Sequence, residues 1–357
     1  MKCNIIFVIL LLQMDNITAL DSLIRDAKRI SASVHIHPDG DALGCGLALV
    51  SYLKECRGKD AVLMVPDPVP DSLSFMLNGF DRQDVITGSD PSGLRRRIDG
   101  SDLLFCLDCS SWSRSGETME PWLRNSQARK VIIDHHLDPE KSAFGLVFSE
   151  TEISSASELL YFILKEMPGI DGHPRNLPMA CRRSLLTGMT TDTNNFANSV
   201  FPSTLKMASE LIASGVDRDW ILNELYDSYR ENRLRLMGYL LYENMEITPE
   251  GLAFMILDQE TQDSFDFRQG ESEGFVNLPL AIKNVRMSML LTEEKDRFRV
   301  SIRSKKGTSA NKCAMHYFGG GGHEQAAGGK LIFTEDIHSS SDAKAYILKV
   351  SEEFFKG

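Results

Sequence analysis

Four short apolar runs, each closed by a polar cluster, constrain this chain more than any other feature it has. Residues 33–37 alternate as a buried strand would and end in Pro-Asp-Gly-Asp, and residues 42–53 follow with helical spacing. Strand patterns recur at 61–65, 102–107 and 130–133, and helical patterns at 156–165, 179–188 and 205–213. Strands alternating with helices predict an α/β fold with a mainly parallel sheet, because parallel neighbours need a crossover and a helix supplies it. In such a sheet, ligands lie beyond the carboxyl ends of the strands. The polar clusters fall there: after Ile36, Leu107, Ile133 and Met189.

A chain of 357 residues is long enough for about two domains, and the pattern changes in its second half. Residues 219–245 read as largely helical and stop at a Thr-Pro-Glu-Gly turn, 248–251. Beyond it come a strand at 252–257, a helix at 273–283, a hairpin from 285–291 and 297–303, a helix at 312–317 and a terminal helix at 343–355. That order predicts a smaller α+β module.

The clusters carry the chemistry. His35-Ile-His37-Pro-Asp39-Gly-Asp41 puts two carboxylates and two imidazoles at a strand end that Pro-Asp-Gly bends sharply. A pair of divalent ions needs this kind of shared oxygen supply. The plainer reading makes Asp41 a helix N-cap, Asp39 a turn residue and the histidines solvated. Asp108 closes the apolar run 103–107, where turn and cap acids are also common. Asp134-His135-His136 follows Val131-Ile132-Ile133, and three chargeable groups at a buried strand's end are costly to desolvate unless a ligand organises them. Histidine suits transition metals, with a neighbouring carboxylate fixing its tautomer. Asp192, between Thr191 and Thr193, is a candidate ligand or the start of an Asx turn. Four clusters at four crevice positions favour metal binding over four independent turns.

Composition decides less than it first suggests. With 39 basic and 50 acidic residues the net charge is −11, which argues against a general DNA coat. It does not exclude a nucleotide enzyme, since carboxylates that hold metal also count as negative. Residues 283–312 contain nine basic and three acidic residues, a locally basic stretch in an acidic chain. Seven scattered cysteines, with Cys106-Leu-Asp-Cys109 as an isolated CxxC, predict reduced thiols and a cytoplasmic protein rather than a disulfide framework. The apolar run 3–12 is too short to span a bilayer, and no small-x-small cleavage site follows it. It reads as an appendage before an alternative start at Met14, or as a targeting segment. No stable membrane association is expected.

In combination these residues resemble the four motifs of the DHH phosphoesterases: His-x-x-Pro-Asp-x-Asp from His35, then Asp108, then Asp134-His135-His136, then Thr191-Asp192-Thr193. Gly319-Gly-Gly-Gly322-His323-Glu-Gln-Ala-Ala327-Gly-Gly329 resembles the glycine motif of the DHHA1 domain that often accompanies them. The resemblance spans roughly residues 16–355. It implies a DHH metal-binding catalytic domain at 16–225, a helical linker at 226–250 and a DHHA1 substrate-binding domain at 251–357, with the active-site cleft between the domains.

The branch most resembled acts as oligoribonuclease (nanoRNase) and as phosphatase of 3'-phosphoadenosine 5'-phosphate (pAp). The resemblance implies two Mn2+ ions, with Mg2+ or Co2+ as substitutes. His35, Asp39 and Asp108 would hold one, and Asp41, Asp108, His135 and Asp192 the other, so that Asp108 bridges. Asp134 would orient a histidine and His136 would face the scissile phosphate, while His37 is a spectator. Arg303 and Ser304, with Gly320, Gly321, Gly322 and His323, would bind substrate. Implied partners are short single-stranded RNA and pAp, not long duplexes, and a homodimer is compatible with the pattern. Two places depart from the family: Gly44-Cys45, where Gly-Ser is usual, and Asn194-Asn195, where a Gly-containing stretch is usual. The competing functions are cleavage of polyphosphate or pyrophosphate, hydrolysis of cyclic dinucleotides, and a catalytically silent nucleotide-binding module.

Overall fold

The structure, a computed structural model, describes residues 5–356, and the chain divides into two units between Asp227 and Ser228. The first unit runs α1 (Ile5–Asp26), β1 (Arg29–Ser33), α2 (Gly40–Glu55), β2 (Asp60–Val65), β3 (Val85–Thr87), α3 (Pro91–Asp99), β4 (Leu103–Leu107) and α4 (Gly116–Asn125). It continues with β5 (Arg129–Asp134), β6 (Leu146–Ser149), α5 (Ala156–Lys165), α6 (Met179–Asp192), α7 (Pro202–Ala213) and α8 (Arg218–Leu222). The six strands lie in the order β3-β2-β1-β4-β5-β6, and every pair is parallel. The chain direction across the sheet reverses between β1 and β4, and at such a switch point the loops part to leave a crevice.

Side chains leave each strand alternately to two cores, as a period of two requires. In β4, Leu103, Phe105 and Leu107 join Leu47 of α2, Leu160 of α5 and Leu185 of α6. Leu104 and Cys106 point the other way, to Leu94 of α3, Trp112 and Leu123 of α4. Each such Leu or Phe contributes roughly 1.5–3 kcal/mol by leaving water. The isolated Cys106–Cys109 CxxC is therefore core filling, and both thiols are buried and form no disulfide. Cys45, the departure noted beside Gly44, is likewise fully buried.

The strand expected at 33–37 is a correction. β1 ends at Ser33, paired to Met64 on one side and Cys106 on the other. The Ile36 amide then turns to the Arg114 carbonyl, and His37 has φ 51°, so the Val34–Ile36 alternation belongs to a loop. The short strands β3 and β6 and the helices α3 and α4 add to what the pattern predicts.

α2 and α6 cross in backbone contact. A Cβ on Gly44 would lie 2.6 Å from the Ser184 carbonyl and 2.8 Å from the Gly188 Cα, so only glycine fits. The crossing sets the start of α2, at Gly40, against Thr191 at the end of α6.

The second unit comprises α9 (Glu231–Tyr239), β7 (Glu246–Ile247), β8 (Leu252–Leu257), α10 (Gln259–Ser264), β9 (Met287–Glu293), β10 (Arg297–Ser304), α11 (Ala310–Tyr317), β11 (Gly321–Gly322), β12 (Ala326–Ile332) and α12 (Ala343–Lys356). Its sheet has the order β11-β12-β10-β9-β8-β7, antiparallel except between β8 and β9. One face packs on Cys313 of α11 and Ile347 of α12, and the other on Leu236, Leu240 and Phe275. Most of the segment 226–250 thus belongs to this unit. The helix expected at 273–283 is a short 3-10 segment, Phe275–Ala281, because Pro279 has no amide to donate and Gly274 sits in left-handed backbone.

Residues 3 and 4 of the apolar N-terminal run lie outside the described residues. Among the described residues, no helix is long and apolar enough to cross a membrane.

Candidate metal centre

The carboxyl ends of β1, β4 and β5 and the facing ends of α2 and α6 bring the candidate ligands together. His35 follows β1, and its Nδ1 bonds to the Ile36 carbonyl at 2.7 Å. That contact makes Nδ1 the donor and turns Nε2 inward, 3.8 Å from Asp39 Oδ1 and 3.5 Å from Asp108 Oδ2. Asp39, and not Asp41, is the N-cap of α2: its Oδ1 accepts the amides of Asp41 and Ala42 at 3.0 Å each. His37 faces elsewhere, its ring Nδ1 3.4 Å from Asp67.

Asp108 closes β4 with φ 53°, left-handed backbone for a residue that is not glycine. Strain of this kind persists only where the surroundings enforce it, and it concentrates at functional sites. Its Oδ1 lies 3.5 Å from His135 Nε2 and 3.6 Å from His136 Nδ1. At the end of β5, Asp134 is fully buried and its Oδ1 accepts from His136 Nδ1 at 2.8 Å. His135 Nε2 is also 3.5 Å from Asp192 Oδ2, on the last residue of α6.

Asp41 is held from 115 residues away. Its Oδ2 accepts the Ala156 amide at 2.7 Å and its Oδ1 the Ser157 amide at 2.9 Å, at the amino end of α5, whose dipole favours a carboxylate. Pattern reading missed this contact. The available signal was Ser155-Ala-Ser-Glu158, an N-cap sequence in which Ser155 Oγ accepts the Glu158 amide at 3.0 Å.

The electrostatics are those of a site that needs cations. Burial opposes a charged His35, but its hydrogen bond to Asp108 and the charges of Asp39 and Asp108 outweigh that and push its pKa up to about 10. His135 is lifted to about 10 in the same way, against its burial, by Asp108 and Asp192. Burial, then the nearby Asp108 and Asp192 charges, raise the Asp41 carboxyl well above the usual range. Asp108 goes the other way: despite its burial, His135 and His35 hold it well below that range.

The donor set fits divalent metal. His35, Asp39 and Asp108 offer ligand atoms within 4.8 Å of one another, and so do Asp41, Asp108 and His135. Asp108 Oδ1 is buried with no hydrogen-bond partner, an expensive condition that a bound cation would relieve. Asp108 belongs to both groups.

Comparison with known proteins assigns the chain to a family. Residues 29–189 match the DHH family, N-terminal domain, and residues 252–356 match the DHHA1 domain. The chain belongs to the DHH family. It is 30% identical over 302 residues to the Bacillus subtilis (strain 168) bifunctional oligoribonuclease and PAP phosphatase NrnA, covering 83% of this chain and 87% of that protein. The Thermus thermophilus protein of the same name is 30% identical over 308 residues, 85% of this chain and 84% of the relative. Among solved structures, an exopolyphosphatase-related protein from Bacteroides fragilis superposes with a TM-score of 0.86 at 33% identity, covering 96% of this chain and 97% of that one. As a DHH phosphoesterase, this chain is a hydrolase.

The DHHA1 unit carries the remaining candidates side by side. Arg303 on β10 lies opposite Ala326 of β12, whose neighbour Ala327 pairs with Gly322 of β11. Its guanidinium donates to the Ile302 carbonyl at 3.0 Å and has no carboxylate partner among the described residues. Ser304 is buried, its hydroxyl donating to the Thr308 carbonyl at 2.7 Å to close the turn. The glycine run is an ordered outer strand and not a loose loop. A Cβ on Gly320 would overlap the Gly328 carbonyl, and Gly322 has φ 142°, whereas Gly321 opens on empty space. His323 follows, its amide on the Ala326 carbonyl at 2.8 Å. Two other basic residues of the stretch 283–312, Arg286 and Lys305, are committed to the backbone carbonyls of Glu250 and Ile282.

Proposed function

We propose that the protein is a two-metal phosphoesterase that hydrolyses short oligoribonucleotides and pAp. The observation that carries this reading is Asp108, a buried carboxylate with His35 3.5 Å from one oxygen and His135 3.5 Å from the other. A carboxylate so flanked can serve two ions at once. His35, Asp39 and Asp108 would hold one, and Asp41, Asp108, His135 and Asp192 the other. Mixed imidazole and carboxylate donors suit Mn2+, with Mg2+ or Co2+ as substitutes. Bound there, the ions supply charge neutralisation at the phosphate and a lowered pKa for water.

The chain's own groups do the rest. Asp134 accepts the Nδ1 proton of His136 and fixes the ring, which leaves Nε2 to carry a proton to the leaving oxygen. In the DHHA1 unit, Arg303 would clamp a phosphate through its fork of donors, with Gly320, Gly321, Gly322 and His323 lining the same contact. Ser304 supports that edge through its turn. The basic stretch 283–312 suits a short polyanion, and likeness to the two NrnA proteins supports the nucleotide class.

The deciding experiment is a panel of pAp, pApA, longer RNA, cyclic dinucleotide and polyphosphate with Mn2+-loaded protein. Nucleotide release from pAp and pApA should dominate. Faster phosphate release from polyphosphate would overturn the substrate assignment and leave the metal centre standing.

A further inference from the structure

Asp192 ends α6, and the turn behind it is built against its own preference. Asn194, Asn195 and Phe196 all have positive φ, at 47°, 54° and 67°. Left-handed backbone is glycine's region. Asparagine visits it at modest cost and phenylalanine at greater cost, and L residues normally do so singly, not three in succession. The turn nevertheless closes the helix. The Asn194 amide donates to the Thr191 carbonyl at 3.0 Å and the Asn195 amide to the Thr190 carbonyl at 2.8 Å, satisfying acceptors that a helix end leaves open. Thr193 Oγ1 adds a bridge, donating to the Met189 carbonyl at 2.8 Å and accepting the Phe196 amide at 3.1 Å. The last turn of α6, with Asp192 on it, therefore depends on a segment that does not favour its own conformation.

What holds the segment comes from α8. The Arg218 guanidinium donates to Asn195 Oδ1 at 2.7 Å and lies over the Phe196 ring, 5.7 Å from its centroid. Among the described residues Arg218 has no carboxylate partner, so these two contacts are what its charge serves. One planar group fixes two of the three left-handed residues, one by a hydrogen bond and one by its aromatic face.

We propose that Arg218 is a positioning residue: by latching Asn195 and Phe196 it holds the left-handed turn, and through the turn it holds Asp192 in place for the second metal ion. This rests on the two-ion reading, in which Asp192 is a ligand. Arg218 acts through Asp192 and the helix end. It is not a catalytic residue.

The test uses the full chain with Arg218→Ala, Asn195→Ala, and Arg218→Ala combined with Asn195→Gly. Mn2+ binding is followed by calorimetry, and amide exchange is followed in the metal-free protein. Arg218→Ala should weaken the second ion on the order of tenfold, the usual effect of removing support from a metal ligand. It should also speed exchange at the Asn194 and Asn195 amides. Asn195→Ala removes the acceptor and adds strain at φ 54°, so it should do at least as much. Glycine at 195 takes positive φ without a latch, and adding it should return part of both affinity and protection, since Phe196 stays unlatched. Wild-type affinity and exchange in Arg218→Ala would overturn the proposal, as would a loss that glycine does not rescue. If the wild-type chain binds no second ion, the two-ion reading falls, and the exchange data alone decide whether Arg218 is the latch.

Discussion

Loading the metal centre should expel protons, in a number the structure sets. Without metal, His35 and His135 have pKa values pushed up to about 10, so near pH 7.5 both imidazoles are charged. A histidine must be neutral at the coordinating nitrogen, so filling both sites displaces about two protons from these two residues. Asp192, pushed up to about 7 chiefly by burial, and Asp41, raised well above the usual range by burial, add to that number, so two is the least expected. The sign follows. Apparent affinity rises with pH, and the product of the two association constants should grow about a hundredfold per pH unit between pH 7 and 9. Stability of the metal-free protein runs the other way. The two histidines contribute fully below their ordinary value of 6.5, and the contribution is lost as pH climbs through about 10. The Tm values with and without Mn2+ should therefore diverge on raising the pH. Calorimetry near pH 7.5 in two buffers of different ionisation heat counts the protons directly. Release of fewer than about half a proton, or affinity flat from pH 7 to 9, would refute the assignment of these histidines as ligands.

Four further outcomes are expected. Asp108→Asn keeps the shape and tolerates φ 53°, so the protein should stay folded while turnover falls at least ~100-fold and Mn2+ binding is lost. Circular dichroism with calorimetry checks both, and retained binding would sink the bridging role. Gly188→Ala puts a Cβ 2.2 Å from Ser157 Oγ and 3.0 Å from Asp41 Oδ1. It should lower stability by about 1–3 kcal/mol in denaturant titration and weaken Mn2+ binding as well. His136→Ala should cut kcat by about 10²–10⁴-fold with metal affinity nearly intact, whereas Arg303→Ala should raise KM with kcat nearly intact. Steady-state kinetics beside metal titration separate the two, and an unchanged KM in Arg303→Ala would count against the clamp.

The site was legible in sequence to the extent that it follows strand ends. Asp108 and Asp134 stand where an apolar run meets a polar cluster, and the rule that α/β ligands gather there located them without a fold in hand. β1 was misplaced because Val34 and Ile36 continue an alternation after the chain has left the sheet. No local pattern records that Ile36 bonds to Arg114 instead of a neighbouring strand. The clamp on Asp41 was illegible for a related reason, since its donors Ala156 and Ser157 belong to a helix start that only the tertiary fold brings near. Asp39 and Asp41 were exchanged in the capping role because either could cap. The choice fell to the residue whose oxygen meets the amides of Asp41 and Ala42.

The two family departures acquire different meanings once the backbone is known. Cys45 puts one small residue in place of another, fully buried in a packed core. Asn194-Asn195 is another matter, because those positions require left-handed backbone at φ 47° and 54°. Asparagine is the residue that substitutes for glycine there with least strain, but Phe196 at φ 67° has no such tolerance. A chain without glycine at this turn needs a restraint from elsewhere, and the nearest one on offer is Arg218. The same logic applies to Asp108, itself a proposed ligand in left-handed backbone, whose amide is tied to the Ile133 carbonyl 25 residues away. The proposed metal centre is thus specified twice, by the acids and histidines that a motif displays and by the distant contacts that hold Asp108 and the turn after Asp192 in unfavourable backbone.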